Sequence, residues 1–103
     1  MTKQEKEQVI RDAVGLLNKI HHLNFTINKM WNNGVYSSVQ LGYVKNGKNS
    51  IQDFGFTRQW FDPEDFHMSY CKDLKVPPNS TDMQKVTLKL AYYFYNWFNK
   101  EAE

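Results

Sequence analysis

The dipeptide Asn46-Gly47 lies between two stretches of alternating apolar and polar residues, and it constrains the fold more than any other feature of the chain. Asn-Gly between alternating segments is the strongest short-range indication of a two-residue β-hairpin turn. With this turn, Val39 faces Phe54 and Ser37 faces Phe56 across the hairpin. The apolar residues of both strands then lie on one face of the sheet.

A third strand is predicted before this hairpin, in the segment LNFTINKMW, residues 23–31, which also alternates. If Asn32-Asn33-Gly34 forms a three-residue loop with Gly34 in the left-handed conformation, Trp31 faces Val35. The further pairs are Ile27 with Val39, Phe25 with Leu41 and Leu23 with Tyr43. One face of the three strands then holds Leu23, Phe25, Ile27, Trp31, Val35, Val39, Leu41, Tyr43, Phe54 and Phe56. The other face is mostly polar and carries Asn24, Thr26, Asn28, Ser38, Gln40, Asp53 and Thr57.

The segment 23–31 also fits a second interpretation, in which the first helix continues to Asn32 and Gly34 is its C-cap. The apolar residues at helical spacing would be Val9, Ala13, Leu16, Ile20, Leu23, Ile27 and Met30. A long helix accounts for none of the sorting of side chains between two sheet faces, so we favour the three-stranded meander. No Gly or Pro marks a break near His22, and both interpretations stay open at the level of sequence.

The predicted helices are marked by their caps. Thr2 with Glu5 forms a capping box at the first helix, and Thr81 with Gln84 forms another at the last helix, which runs to about Lys100. Between them, Asp62-Pro63 resembles an N-cap followed by proline at the first helical position, which predicts a short helix ending near Lys72. The sequence therefore predicts one α+β domain over residues 1–103, in the order α-β-β-β-α-α, with the helices packed on one face of the sheet.

Composition narrows the class of protein. The 103 residues include 16% aromatics, one cysteine and a net charge of +2, which indicates a cytoplasmic protein with one aromatic-rich core and no internal disulfide. No apolar run is long enough to span a membrane, and the charged N-terminal residues lack the apolar core of a signal peptide. The eleven Lys against two Arg, with abundant Asn, suggest a low-GC bacterium or its phage, in which case the protein would act in the host cytoplasm.

The residues that could carry chemistry are few. His67 and Cys71 are four apart on the predicted short helix, but no third group that would orient them is visible. They could also supply two metal ligands, yet no second pair has ligand spacing, and the adjacent His21 and His22 would diverge. We therefore predict no catalytic residue, no metal site and no cofactor, and a protein that is not an enzyme.

Nucleic-acid binding is the alternative hypothesis. A helix, three antiparallel strands and a helix is also the order of double-stranded-RNA-binding domains, an analogy of topology that is not carried by sequence motifs. The last helix places Lys85, Lys89 and Lys100 on one predicted polar strip that could contact phosphates. Tyr36 is the only exposed ring predicted on the sheet, which argues against a base-stacking platform.

The leading hypothesis is a protein-binding module that acts as an inhibitor, an immunity-type protein or an adaptor. The first candidate surface is the polar sheet face with Tyr36, Ser38, Gln40 and Asn28, whose side chains are easily desolvated. The second is the side of the last helix with Leu88, Tyr92 and Tyr95, which could bind a partner or form a homodimer. The sequence identifies neither the partner nor the oligomeric state, and it predicts no membrane association.

Overall fold

The computed structural model describes residues 1–102, with the backbone but not the side chain of Ser69. The main elements, in chain order, are α1 (Lys3–His21), β1 (Thr26–Asn32), β2 (Ser37–Lys45), β3 (Lys48–Phe56) and α2 (Asp82–Lys100). Two 3₁₀ turns, Arg58–Phe61 and Ser69–Cys71, lie between β3 and α2. The strands form one open antiparallel sheet in the order β1-β2-β3, so the predicted α+β fold with a β-meander is confirmed.

Both helices begin at the predicted capping boxes. In α1 the Glu5 amide donates to Thr2 Oγ1 at 3.1 Å, and the Thr2 amide donates to Glu5 Oε1 at 2.8 Å. In α2 the Gln84 amide donates to Thr81 Oγ1 at 3.1 Å, and the Thr81 amide donates to Gln84 Oε1 at 2.8 Å. The alternative of a helix continuing to residue 32 is wrong. The reason is that His22 adopts a left-handed φ of 53° and caps α1, without any glycine at that position.

The β2–β3 hairpin has the predicted register. Asn46 and Gly47 have φ angles of 54° and 77°, the positive values that a type I′ turn requires at both positions. Val39 pairs with Phe54 and Ser37 with Phe56, as expected.

The β1–β2 register differs from the prediction, because the loop is longer than Asn-Asn-Gly. The Asn33 side-chain oxygen accepts the amides of Val35 and Tyr36 at 2.9 and 2.8 Å, and the Asn33 amide donates to the Tyr36 carbonyl. This side-chain cap closes a four-residue loop. Asparagine side chains commonly form such local hydrogen bonds in turns, where they replace hydrogen bonds of the strand ladder. Trp31 therefore pairs with Ser38 instead of Val35.

The new register changes which β1 residues face the core. Trp31 and Val35, both predicted to be buried, are 56% and 61% exposed. Asn32 takes the inward position and donates from its side chain to the Lys3 carbonyl at 2.9 Å. A register shift between Ile27 and Lys29 then returns Ile27 to the core side, as predicted.

The core lies between the helices and one face of the sheet. Phe54 on β3 packs edge-on against Phe94 and Trp97 of α2, with ring centroids 5.1 and 5.0 Å apart. The buried apolar residues of the two helices are Val9, Ile10, Ala13, Val14, Leu17, Val86, Leu90, Ala91 and Phe94. The buried apolar residues on the sheet side, all of them predicted core positions, are Phe25, Val39, Leu41, Tyr43, Phe54 and Phe56.

The predicted short helix after Asp62-Pro63 is absent. Asp62 Oδ1 accepts the Glu64 amide at 2.9 Å, and Asp65 Oδ1 accepts the His67 amide at 3.2 Å. These local turns compete with helical hydrogen bonds, so the segment stays irregular up to the 3₁₀ turn at Ser69–Cys71. Within the described part of the chain, no helix is both long and apolar enough to cross a membrane.

Candidate partner-binding surfaces

The open face of the sheet, which we define as the side turned away from the helices, is the first candidate surface. The strand pairing places Trp31, Ser38 and Gly55 in one row across the three strands, and Lys29, Gln40 and Asp53 in the next. The full set is Thr26, Asn28, Lys29, Trp31, Tyr36, Ser38, Gln40, Gly42, Val44, Asn49, Ile51, Asp53 and Gly55.

All four residues predicted for the sheet face lie together on this open face. Ser38 and Gln40 alternate with buried residues of β2, and Gln40 Nε2 donates to Asp53 Oδ1 at 3.1 Å. Asn28 lies in the irregular part of β1, where its side-chain amide approaches Gly42. Tyr36 extends from the β1–β2 loop across the sheet to Gly55.

Trp31 lies on the open face, although the sequence analysis placed it on the apolar face of the sheet. Its ring centroid lies 6.4 Å from that of Tyr36, with the two planes inclined by 50°. The side chains are 56% and 40% exposed, so the two rings form an aromatic pair at one end of the open face. Recognition of Asn33 as the side-chain cap of a four-residue loop would have moved Trp31 to this face.

The open face is nearly neutral and contains two shallow depressions. Among its residues, Lys29 and Asp53 are charged, with opposite signs, on either side of Gln40. A depression of about 340 Å³ beside Trp31 is lined by Lys29, Met30, Trp31, Ser38, Val39, Gln40 and Asp53. A second one of about 460 Å³ lies around Gly42, where the side chains of Thr26 and Asn28 approach the glycine.

The second predicted surface, Leu88, Tyr92 and Tyr95, is partly covered by α1. These residues are half-buried and line a narrow cleft between the two helices, together with Leu16 and Ile20. The Tyr95 ring stacks on His21 with centroids 3.6 Å apart and planes 9° from parallel. The structure thus brings the three residues together, but much of their surface is used by the packing of α1 against α2.

The predicted lysine strip on α2 does not exist as a surface, because Lys89 is completely buried. Its ammonium group donates to the carbonyls of Gln59, Asp62 and Asp65 at 3.2, 2.7 and 2.8 Å. Burial lowers the pKa of Lys89, an effect that the carboxylate of Asp65 opposes. A buried cation with three carbonyl acceptors holds the irregular segment 59–65 against α2 and is unavailable to phosphates.

The other two lysines of the predicted strip, Lys85 and Lys100, lie in different environments. Lys85 forms an ion pair with Glu64 at 3.2 Å, while Lys100 is exposed at the end of α2.

The pair His67 and Cys71 lacks the helical geometry that the prediction required, since no α-helix joins the two residues. Cys71 is buried, and burial raises the pKa of its thiol, which disfavours the nucleophilic thiolate. Among residues 1–102, no three or more His, Cys, Asp and Glu side chains cluster in a way that could hold a metal ion.

Comparison of this chain with protein-family models, with curated proteins and with solved structures finds no match.

Proposed function

We propose that this chain is a protein-binding module that inhibits or adapts a macromolecular partner by docking through its open face. The observation that carries the proposal is the exposed Trp31 beside Tyr36 on a sheet face that no helix covers. Tryptophan and tyrosine are the side chains most enriched at the energetic centres of protein interfaces, because they bury a large area with little loss of conformational freedom.

The charge distribution of the open face indicates which kind of partner surface would fit it. Lys29 and Asp53 balance each other, and the remaining residues of the open face are amides, hydroxyls, glycines and a few apolar side chains. A partner surface with an apolar projection that enters the depression beside Trp31, surrounded by neutral hydrogen-bonding groups, fits this pattern. Binding is therefore expected to depend little on salt concentration.

The open face is a better candidate than the Leu88, Tyr92 and Tyr95 cleft for a physical reason. The cleft residues already pack against α1, so a partner would gain only their remaining exposed surface. Trp31 is more than half exposed and gains the burial of a large aromatic area on binding. The cytoplasmic location, in a bacterium or in a host infected by its phage, belongs to the same proposal.

Nucleic-acid binding is the second candidate, because aromatic rings on an open sheet can also stack on unpaired bases. The same Trp31 and Tyr36 pair would serve as the platform, with Lys29 as the nearby cation. Each phosphate contact requires a cation, and the proposal of a protein partner is favoured because the open face is balanced in charge.

Affinity capture from a lysate of the source organism tests the proposal, with nuclease-treated and untreated halves. The wild type and the double variant Tyr36→Lys, Gln40→Lys are compared, since new charges on the open face should prevent docking without disturbing the core. We expect a protein that is retained in both halves by the wild type and is lost with the variant. Retention of the same protein by the variant would exclude the open face. Recovery in the untreated half alone would support nucleic acid.

A further inference from the structure

The free edge of β3 is a regular strand of nine residues that could pair with another strand. β3 pairs with β2 in an unbroken register from Ser37 with Phe56 to Lys45 with Lys48. The opposite edge, β1, is interrupted by a register shift between Ile27 and Lys29. Proteins commonly protect sheet edges with bulges, prolines, very short strands or charged side chains, and of these devices the nine residues of β3 contain only the charges of Lys48 and Asp53.

The turn geometry determines which groups of β3 point toward the free edge. A two-residue turn makes its flanking pair, Lys45 and Lys48, a hydrogen-bonded pair, and such pairs recur at every second residue of an antiparallel ladder. Asn49, Ile51 and Asp53 therefore direct their backbone N–H and C=O groups away from β2. In agreement, the Asp53 carbonyl accepts a hydrogen bond from the side chain of Gln52 at 3.1 Å.

We infer that a second copy of this chain pairs with β3, with the two β3 strands antiparallel about a twofold axis at Ile51. In this register Ile51 lies opposite Ile51 of the second copy, and Asn49 lies opposite Asp53 of the second copy. Ile51 is 61% exposed in the single chain, and the pairing covers it with an apolar side chain. The dimer contains a continuous six-stranded sheet.

Two registers with the axis closer to the C-terminal end of β3 are less complementary. An axis at Asp53 would set two carboxylates directly opposite each other, which is destabilising in cross-strand pairs. An axis at Gln52 would place each Ile51 against a carboxylate of the other copy. The register centred on Ile51 avoids both contacts and gives each Asp53 an amide neighbour, so the edge is self-complementary in only this arrangement of the three.

The inferred dimer interface and Trp31 lie at opposite edges of the sheet, although Asp53 borders both the interface and the depression beside Trp31. β1, which carries Trp31, is the strand farthest from the new interface, so both Trp31 side chains stay accessible at the outer edges of the extended sheet. The interface also differs from the predicted homodimer through α2, whose Leu88 and Tyr92 remain outside it. Loss of dimerisation and loss of partner binding can therefore be observed separately.

Sedimentation velocity of the full chain over a range of concentrations tests the inference. We expect a species of twice the 12.3 kDa chain mass, and Ile51→Lys should weaken self-association at least about tenfold by placing like charges at the axis. Val44→Lys is the matched control, because Val44 is an exposed apolar residue of the same face on the central strand. It should leave the dimer intact.

Hydrogen exchange locates the contact in the same samples. The Ile51 and Asp53 amides should become more protected as the concentration rises in the wild type and in Val44→Lys, but not in Ile51→Lys. A protein that stays monomeric at millimolar concentration would overturn the inference. A dimer that survives Ile51→Lys, or one without concentration-dependent protection of these amides, would do the same.

Discussion

The side-chain oxygen of Tyr36 occupies the place where a side chain at Gly55 would begin. A Cβ atom added to Gly55 would lie 1.8 Å from Tyr36 Oη and 2.8 Å from Cζ. The ring thus reaches from the β1–β2 loop across β2 to the far strand, and its companion Trp31 stands on β1. The absence of a side chain at Gly55 is what allows the Tyr36 ring to extend over the open face.

Gly55→Ala should displace Tyr36 and weaken partner binding by about tenfold, although residue 55 itself need not touch the partner. The fold should persist, since Gly55 lies in regular strand backbone and Tyr36 is a half-exposed side chain that can move. Binding titrations and thermal unfolding of the two proteins provide the measurement.

Gly15→Ala is the matched control for this prediction, because within the described residues a Cβ added at Gly15 in α1 meets no atom within 4 Å apart from the adjoining backbone of its own helix. It should raise helix stability by about 0.5–1 kcal/mol and leave partner affinity unchanged. Equal affinities of Gly55→Ala and the wild type would contradict a role for the position of Tyr36.

Lys89→Met should lower the free energy of unfolding by about 2–4 kcal/mol. The substitution keeps the apolar stem but removes the donor from the carbonyls of Gln59, Asp62 and Asp65, which lose charge-assisted hydrogen bonds. Lys85→Met is the comparison, because its ion pair with the exposed Glu64 is worth less than about 1 kcal/mol. Equal losses in urea unfolding would show that the buried ammonium group does not hold the 59–65 segment.

Stability should decrease at alkaline pH. Burial raises the pKa of the Tyr70 and Tyr93 side chains above the ordinary value of 10.0, so the folded state holds these protons more tightly than the unfolded chain does. Their stabilisation is complete below pH 10.0 and is lost as the pH rises through the folded-state values. The contribution of Lys89 to stability changes with pH in the opposite direction. Its pKa is lowered in the folded state, so the unfolded chain binds this proton more strongly and the contribution rises with pH.

The double variant Tyr70→Phe, Tyr93→Phe tests this pH dependence, because it keeps the rings and removes both phenol protons. Urea unfolding between about pH 8 and 11 should show a steep loss of stability in the wild type and a flatter profile in the variant. Parallel profiles of the two proteins would assign the alkaline loss to other groups.

Cys71 should react slowly with a thiol reagent in the folded protein. It is 3% exposed and its pKa is raised by burial, so both access and thiolate formation are restricted. The rate should rise at least about tenfold when urea unfolds the chain. A folded-state rate above that of a small free thiol would contradict the prediction and would favour a nucleophilic cysteine.

The features that sequence reasoning predicted well are those fixed by local interactions. Asn46-Gly47 determines its own turn and hence the β2–β3 register, and each capping box joins residues three apart. The position of Trp31 depends instead on the Asn33 side chain and on the irregularity near Asn28, neither of which leaves a periodic signal.

The burial of Lys89 is set by contacts that are distant in sequence. Its acceptors are backbone carbonyls 24 to 30 residues away. Every residue has a backbone carbonyl, so the sequence does not mark which ones accept these hydrogen bonds. The predicted lysine strip failed for this reason. Ser38 and Gln40 were placed correctly on the open face because β2 alternates strictly, and Tyr36 lies there because its ring can reach across the sheet to Gly55.

A comparison of Trp31→Ala with Ile20→Ala, in titrations against the captured partner, tests the central claim most directly. Both side chains are 56% exposed, one on the open face and the other on α1 at the helix cleft, so the two substitutions remove apolar surface of similar accessibility. We predict that Trp31→Ala lowers affinity at least about 30-fold and that Ile20→Ala leaves it unchanged. The reverse result, with binding lost in Ile20→Ala and kept in Trp31→Ala, would place the partner in the helix cleft and contradict the account.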